Sequence, residues 1–131
     1  MDPNVVVFSL FPGIQESIIR HVLDAPELRS IVMRSYGSGN APQQPWLNKL
    51  LYQAAHRGVV IVNISQCVAG SVEMSRYDTG YHLKKAGVIS GIDSTVEAAV
   101  TKLMFLQGQY SDSNIIRNMM CRSIAGEITI E

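Results

Sequence analysis

Long apolar runs alternate along the chain with apolar residues at helical spacing. Residues 5–10, 28–33 and 59–64 are runs rich in β-branched residues, which are typical of parallel strands buried on both faces, and residues 88–89 predict a short fourth strand. Apolar residues recurring at i, i+3, i+4 and i+7 predict helices between and after these runs. The predicted helical faces consist of Ile14, Ile18, Ile19, Val22 and Leu23; Leu47, Leu50, Leu51, Ala54 and Ala55; Val96, Ala99, Val100, Leu103 and Met104; and Ile115, Ile116, Met119 and Met120.

Local signals mark where these elements begin and end. Pro45 suits the first turn of the second helix, and Gly58 ends it. Residues 94–97, with the sequence Ser-Thr-Val-Glu, form a capping-box pattern that opens the third helix, and the last helix begins at about Ser111. Residues 65–86 lack a long periodic pattern and predict a loop with a short helix near residues 81–85.

This alternation of strands and helices predicts an α/β fold. We expect an open, parallel, four-stranded sheet with helices on both faces, a three-layer arrangement of the Rossmann or flavodoxin type. No linker or repeat divides residues 1–131, so a single domain is expected. The strand-to-helix loops of such a sheet share its carboxyl edge, where we expect a small polar ligand to bind.

Composition argues against several classes of function. Lys plus Arg and Asp plus Glu number 11 each, so neither nucleic acid nor an anionic membrane is a favoured partner. Cys67 and Cys121 are distant in sequence and lack metal-ligand spacing, which argues against a disulfide framework or a zinc site. No cofactor is expected. The first residues resemble neither a signal peptide nor a membrane span, and a start almost directly on a strand suggests an excised domain of a cytoplasmic protein.

Arg34 is the first candidate for binding. It follows a run of buried apolar residues, and a guanidinium at a strand end can hold a carboxylate through two parallel hydrogen bonds. The alternative is an internal ion pair with Asp93 or Glu73.

Two further segments carry polar groups to the same edge. Ser65 and Cys67 flank Gln66, so both side chains point the same way in an extended segment, toward the surroundings of Arg34. Cys67 alone could equally be a small buried hydrophobic residue. The glycines of residues 37–40 permit close approach of backbone N–H groups to a ligand, or simply make a turn.

The sequence gives little support to a hydrolytic nucleophile. His21, His56 and His82 fall on a helix face, at a helix end and in the irregular segment, so a Cys–His pair at the ligand edge is not expected. No serine occupies a G-x-S-x-G pattern.

Two longer phrases carry a family resemblance. Residues 34–43 have the pattern R-S-Y-G-x-G-N-A-P-Q, and residues 63–67 have the pattern N-[IL]-[TS]-Q-C. Together with residues 10–14 and 87–93, they closely resemble the C-terminal domain of bacterial cytoplasmic (type I) L-asparaginases, over residues 4 to about 129.

The resemblance implies roles for particular residues. Arg34, Ser65 and Cys67 match an effector pocket that binds L-asparagine away from the catalytic centre, with Ser65 standing where relatives have threonine. Asn40 matches an asparagine that reaches the catalytic centre of a neighbouring subunit, which implies a homo-oligomer. The catalytic threonines of such enzymes belong to an N-terminal domain whose motifs are absent here.

The expected function is therefore that of an asparaginase C-terminal domain. It would supply an effector pocket and subunit contacts to an amidohydrolase that converts L-asparagine to L-aspartate and ammonia, and it would be inactive alone. Two alternatives stay open: a purely structural assembly domain without a ligand, and a domain of a related asparaginase-like amidotransferase subunit.

Overall fold

A computed structural model of the chain describes residues 2–10, 13–35, 45–65, 87–90 and 95–121. Within these ranges the strands and helices alternate as the hydrophobic pattern predicts. In chain order they are β1 (Val5–Ser9), α1 (Glu16–Leu23), β2 (Ser30–Ser35), α2 (Pro45–His56), β3 (Val60–Ser65), β4 (Ile89–Ser90), α3 (Val96–Gln109) and α4 (Ser113–Met120).

The strands form one parallel sheet in the order β1-β2-β3-β4. The predicted α/β class and parallel sheet are confirmed. Three of the four predicted strands have ordinary length. Within the described residues the fourth, β4, has two residues, which pair with Val62 and Asn63. The short helix predicted near residues 81–85 lies outside the described residues.

Each face of the sheet carries a pair of helices. Because right-handed crossovers join adjacent parallel strands in sequence, α1 and α2 lie on the same face. Ile31, Met33 and Ile61 pack against them there. The alternate residues of the same strands, such as Val32 and Val62, pack against α3 and α4 on the opposite face.

Several predicted details are wrong. β2 begins at Ser30 rather than at residue 28, and it continues through Arg34 to Ser35. The N-cap of α3 is Thr95, whose side chain accepts a hydrogen bond from the backbone N–H of Ala98 at 3.1 Å. A cap at Thr95 puts Glu97 at the second helical position, whereas a capping box needs its acid at the third, so the reciprocal pair is not formed.

A further error concerns Ile18, which was placed on the buried face of α1 but is 61% exposed, and Ile115 of α4 is likewise 40% exposed. The buried residues of α1 are Ile19 and Leu23, four positions apart. Ile18 lies one residue, or about 100°, away from Ile19 around the helix, which turns it out of the narrow contact with the sheet.

A polar network at the amino edge of the sheet fixes the end of α3. The Arg29 guanidinium donates to the carbonyl oxygens of Gln107 and Tyr110 at 2.7 and 3.0 Å and to Asp2 Oδ2 at 2.9 Å. Ser30 Oγ, which is buried, donates to Gln107 Oε1. A cation beside the last carbonyls satisfies them and complements the helix dipole, so this network anchors α3 to the sheet.

The longest described helix, α3, has 14 residues. Within the described ranges no helix is long and apolar enough to cross a membrane.

Candidate functional site

The carboxyl edge of the sheet holds the one charged residue of the four strands, Arg34. Arg34 lies between Ser9 of β1 and Ile64 of β3 in the sheet register. Its carbonyl oxygen accepts a hydrogen bond from the backbone N–H of Leu10 at 2.8 Å, which continues the pairing one step beyond β1. The backbone that carries this guanidinium is therefore fixed from both sides.

Strand alternation determines which face of the sheet carries Arg34. It shares a face with Val32, which is fully buried beneath α3 and α4. Arg34 is exposed, whereas Ile64, its neighbour in the register, is buried with 5% exposure. The guanidinium therefore lies at the boundary between the buried core and the carboxyl edge of the sheet. A cation at such a boundary can bind an anionic group that approaches from solvent while its aliphatic stem covers apolar surface.

Ser65 is the last residue of β3, and its Cα pairs with that of Ser35. Arg34 and Ser65 thus belong to neighbouring strands, one step apart in register, at the same edge. The structure describes the backbone of Ser65, whereas Cys67 and Asn40 lie outside the described residues. The grouping of Arg34, Ser65 and Cys67 in one pocket stays a prediction.

Asn63 is a polar residue at this edge that the sequence analysis did not select. It is fully buried on β3, opposite Met33 and Ser90 in the register, on the face covered by α1 and α2. A buried amide needs hydrogen-bond partners, and one near the end of a strand can hold the backbone of adjacent loops. The available signal was the single amide that interrupts the β-branched run of residues 59–64.

The described histidines lie away from the carboxyl edge. His21 is exposed on α1, where its Nδ1 lies 2.8 Å from the Ser17 carbonyl oxygen, and His56 is the exposed last residue of α2. These positions confirm the expected surface and helix-end placement of both, and His82 lies outside the described residues. In the part of the chain that the structure describes, no histidine stands ready to activate a nucleophile at the carboxyl edge.

Comparison with known sequences gives a family match over most of the chain. The profile described as "Glutaminase/Asparaginase C-terminal domain" matches residues 4–120. L-asparaginase 1 of Escherichia coli (strain K12) is 44% identical over 123 residues, covering 94% of this chain and 36% of that protein. The 60 kDa lysophospholipase of Mus musculus is 40% identical over 131 residues, covering 99% of this chain and 23% of that protein.

A third relative bears on the amidotransferase alternative. A glutamyl-tRNA(Gln) amidotransferase subunit of Pyrococcus horikoshii is 35% identical over 129 residues, covering 98% of this chain and 29% of that protein. The chain therefore spans between 23% and 36% of the length of these three relatives.

Comparison with solved structures gives the same result. The crystal structure of L-asparaginase I from Vibrio cholerae O1 biovar eltor superimposes with a TM-score of 0.91 at 41% sequence identity, over 99% of this chain and 39% of the other. At that identity, likeness of fold and likeness of sequence both point to common descent.

Proposed function

The chain belongs to the glutaminase/asparaginase C-terminal domain family, and on that premise we propose that it acts as the C-terminal domain of an L-asparaginase. The resemblance inferred from the two strand-end phrases is confirmed by the family match and by the asparaginase neighbours.

The domain binds L-asparagine as an effector at the carboxyl edge, with Arg34 holding the α-carboxylate. The observation that supports this proposal is the position of Arg34, the single charged residue of the four described strands, at an edge whose backbone is fixed by Leu10. A guanidinium can grip a carboxylate through two parallel hydrogen bonds, which a single ammonium cannot reproduce. Ser65 and Cys67 complete the proposed pocket near the short polar tail of asparagine.

The chemical step belongs to the rest of the larger protein. Hydrolysis of a side-chain amide through an acyl-enzyme needs a nucleophile with an activating base, and the family's catalytic threonine motifs are absent from residues 1–131. We expect this chain alone to release no ammonia from L-asparagine, and measurable release by the purified chain would contradict that expectation. Asn40 is proposed to reach a neighbouring subunit's catalytic centre in a cytoplasmic homo-oligomer.

Calorimetric titration of the chain with L-asparagine tests the role of Arg34. Charge-assisted hydrogen bonds contribute about 1.5–3 kcal/mol each, so Arg34→Ala is expected to raise the dissociation constant by about tenfold or more. Arg34→Lys keeps the charge without the planar guanidinium, so its dissociation constant should fall between those of the wild type and Arg34→Ala. Arg20→Ala is the matched control, because Arg20 is an exposed residue of α1 that pairs with Glu16. Equal dissociation constants for the wild type and Arg34→Ala would remove Arg34 from the pocket.

A purely structural assembly role is the second candidate. It is favoured by one finding, namely that the same domain is shared with relatives named as a lysophospholipase and as an amidotransferase subunit. A structural domain would show the same thermal midpoint with and without asparagine. A ligand at a hundred times its dissociation constant adds about 2.7 kcal/mol to the unfolding free energy, a difference that a thermal melt detects.

A further inference from the structure

A pocket of about 420 Å³ opens at the amino edge of the sheet, opposite the edge that carries Arg34. It lies between the end of α2 at His56, the start of α4 at Ser113, and Gly87 just before β4. Its volume falls within the range of small-molecule sites, and its lining is mainly polar. Nothing in the carboxyl-edge proposal uses these residues.

The pocket carries a positive charge from Arg117, which lines it, and among the described residues no aspartate or glutamate does. Arg117 Nη1 donates to the Gly87 carbonyl oxygen at 2.7 Å, which holds the half-buried guanidinium at the pocket wall. None of the ion pairs found within the described ranges involves Arg117. A guanidinium carries five N–H donors, so this single hydrogen bond leaves capacity for an anion.

Two glycines line the pocket at positions where a side chain would fill part of it. Gly58 and Gly87 have φ angles of +95° and +98°, a backbone conformation that residues with side chains rarely adopt. A Cβ on Gly58 would lie 3.0 Å from Ser113 Oγ, and a Cβ on Gly87 would lie 3.0 Å from Ala55 Cβ. Glycine at both positions therefore leaves the Ser113 hydroxyl and the Arg117 guanidinium accessible on the same cavity.

The first turn of α4 adds donors on the same side. Ser113 and Asn114 line the pocket, and the free N–H groups of a helix start favour negative charge. One of these donors is already used, because the backbone N–H of Asn114 donates to Asp112 Oδ1 at 2.9 Å. The Asp112 carboxylate lies beside the site and weakens anion binding, which provides a direct way to test the charge argument.

We propose that this amino-edge pocket binds a compact oxyanion, either a phosphate group or the carboxylates of a small acid, through Arg117 and the Ser113 hydroxyl. The guanidinium fork fits the oxygen atoms of both groups, and the hydroxyl supplies a further donor. This site is independent of the asparagine pocket, so either one can fail without the other.

Titration of the full chain with inorganic phosphate, followed by calorimetry at constant ionic strength set with sodium chloride, tests the proposal. Saturable binding is expected in the wild type, and Arg117→Gln should raise the dissociation constant by about tenfold or more, because a charge-assisted donor is lost. Arg20→Gln, on the exposed face of α1, should leave the constant unchanged. A parallel titration with malonate distinguishes a site for carboxylates from one for phosphate.

Asp112→Asn gives a second test that does not remove a stabilising contact. Asparagine is as good an N-cap as aspartate, so α4 is expected to stay intact. Removing the neighbouring negative charge should lower the dissociation constant for the oxyanion by about two- to fivefold, a typical size for one partly screened charge. The proposal is overturned if the wild type binds neither phosphate nor malonate saturably, if Arg117→Gln binds as tightly as the wild type, or if Asp112→Asn leaves the affinity unchanged.

Discussion

Replacing Gly87 by alanine should destabilise the fold more than the same change at Gly13. Both glycines have positive φ angles, +98° and +90°, so alanine meets a similar backbone penalty of about 1–2 kcal/mol at either position. Their surroundings differ. A Cβ at Gly13 would have nothing within 4 Å, whereas a Cβ at Gly87 would lie 3.0 Å from Ala55 Cβ.

The contact with Ala55 sets the size of the difference. Carbon atoms prefer separations of about 3.5–4.0 Å, and a methyl group on α2 cannot rotate out of the way. Forcing an extra methyl group into packed structure costs about 1–3 kcal/mol. We therefore expect Gly87→Ala to lower the unfolding free energy by about 2–5 kcal/mol, against about 1–2 kcal/mol for Gly13→Ala.

Urea denaturation followed by circular dichroism measures both changes, with the m-value expected to stay constant. Ala55→Gly removes the opposing methyl group at a cost of about 0.5–1 kcal/mol in the helix. The double variant Gly87→Ala/Ala55→Gly should therefore be more stable than the sum of the single changes predicts. A Gly87→Ala cost no larger than that of Gly13→Ala would refute the steric argument, and with it the close approach of α2 to residue 87.

Two further predictions concern the network at the amino edge. Ser30→Ala leaves the buried Gln107 side-chain oxygen without its hydroxyl donor and should cost about 1–3 kcal/mol in urea denaturation, while Ser30→Ala/Gln107→Leu should cost less than the sum of its single changes. The hydrogen bond from Arg29 holds the pKa of the Asp2 carboxyl below its usual value of 3.8. A depressed pKa contributes stability that is present above pH 3.8 and is lost as pH falls through the folded-state value, so acid should lower the thermal midpoint less steeply in Asp2→Asn than in the wild type. Identical acid titrations of the two proteins would contradict this assignment.

The sequence predicted much of the fold because burial periodicity is a local property. The β-branched runs and the i, i+3, i+4 spacing identified every described strand and helix by type and in order. Boundaries were less certain: β2 extends to Ser35, and Thr95 rather than Ser94 caps α3. The ends of helices and strands depend on which of two adjacent residues forms the terminal hydrogen bond, and in the sequence both residues are suitable.

The candidate site, like the fold, could be predicted from the sequence only in part. The placement of Arg34 at the carboxyl edge follows from the order of strands and loops, since parallel strands all end on one side, whereas its part in binding asparagine stays a proposal. The motifs also determined the family. The burial of Asn63 did not follow from the sequence, because one amide in an apolar run is compatible with either a strand interior or a strand end.

The α/β class, the order of the elements and the family could all be predicted from the sequence, because they depend on short-range periodicity and on contiguous motifs. The folded arrangement was needed to establish the register that places Arg34 between Ser9 and Ile64, and the pairing of Ser30 with Gln107. It also decided the amino-edge pocket that brings Gly87 beside Arg117. These features join residues up to 77 positions apart, and such contacts arise only when helices and strands pack together, which no local pattern specifies.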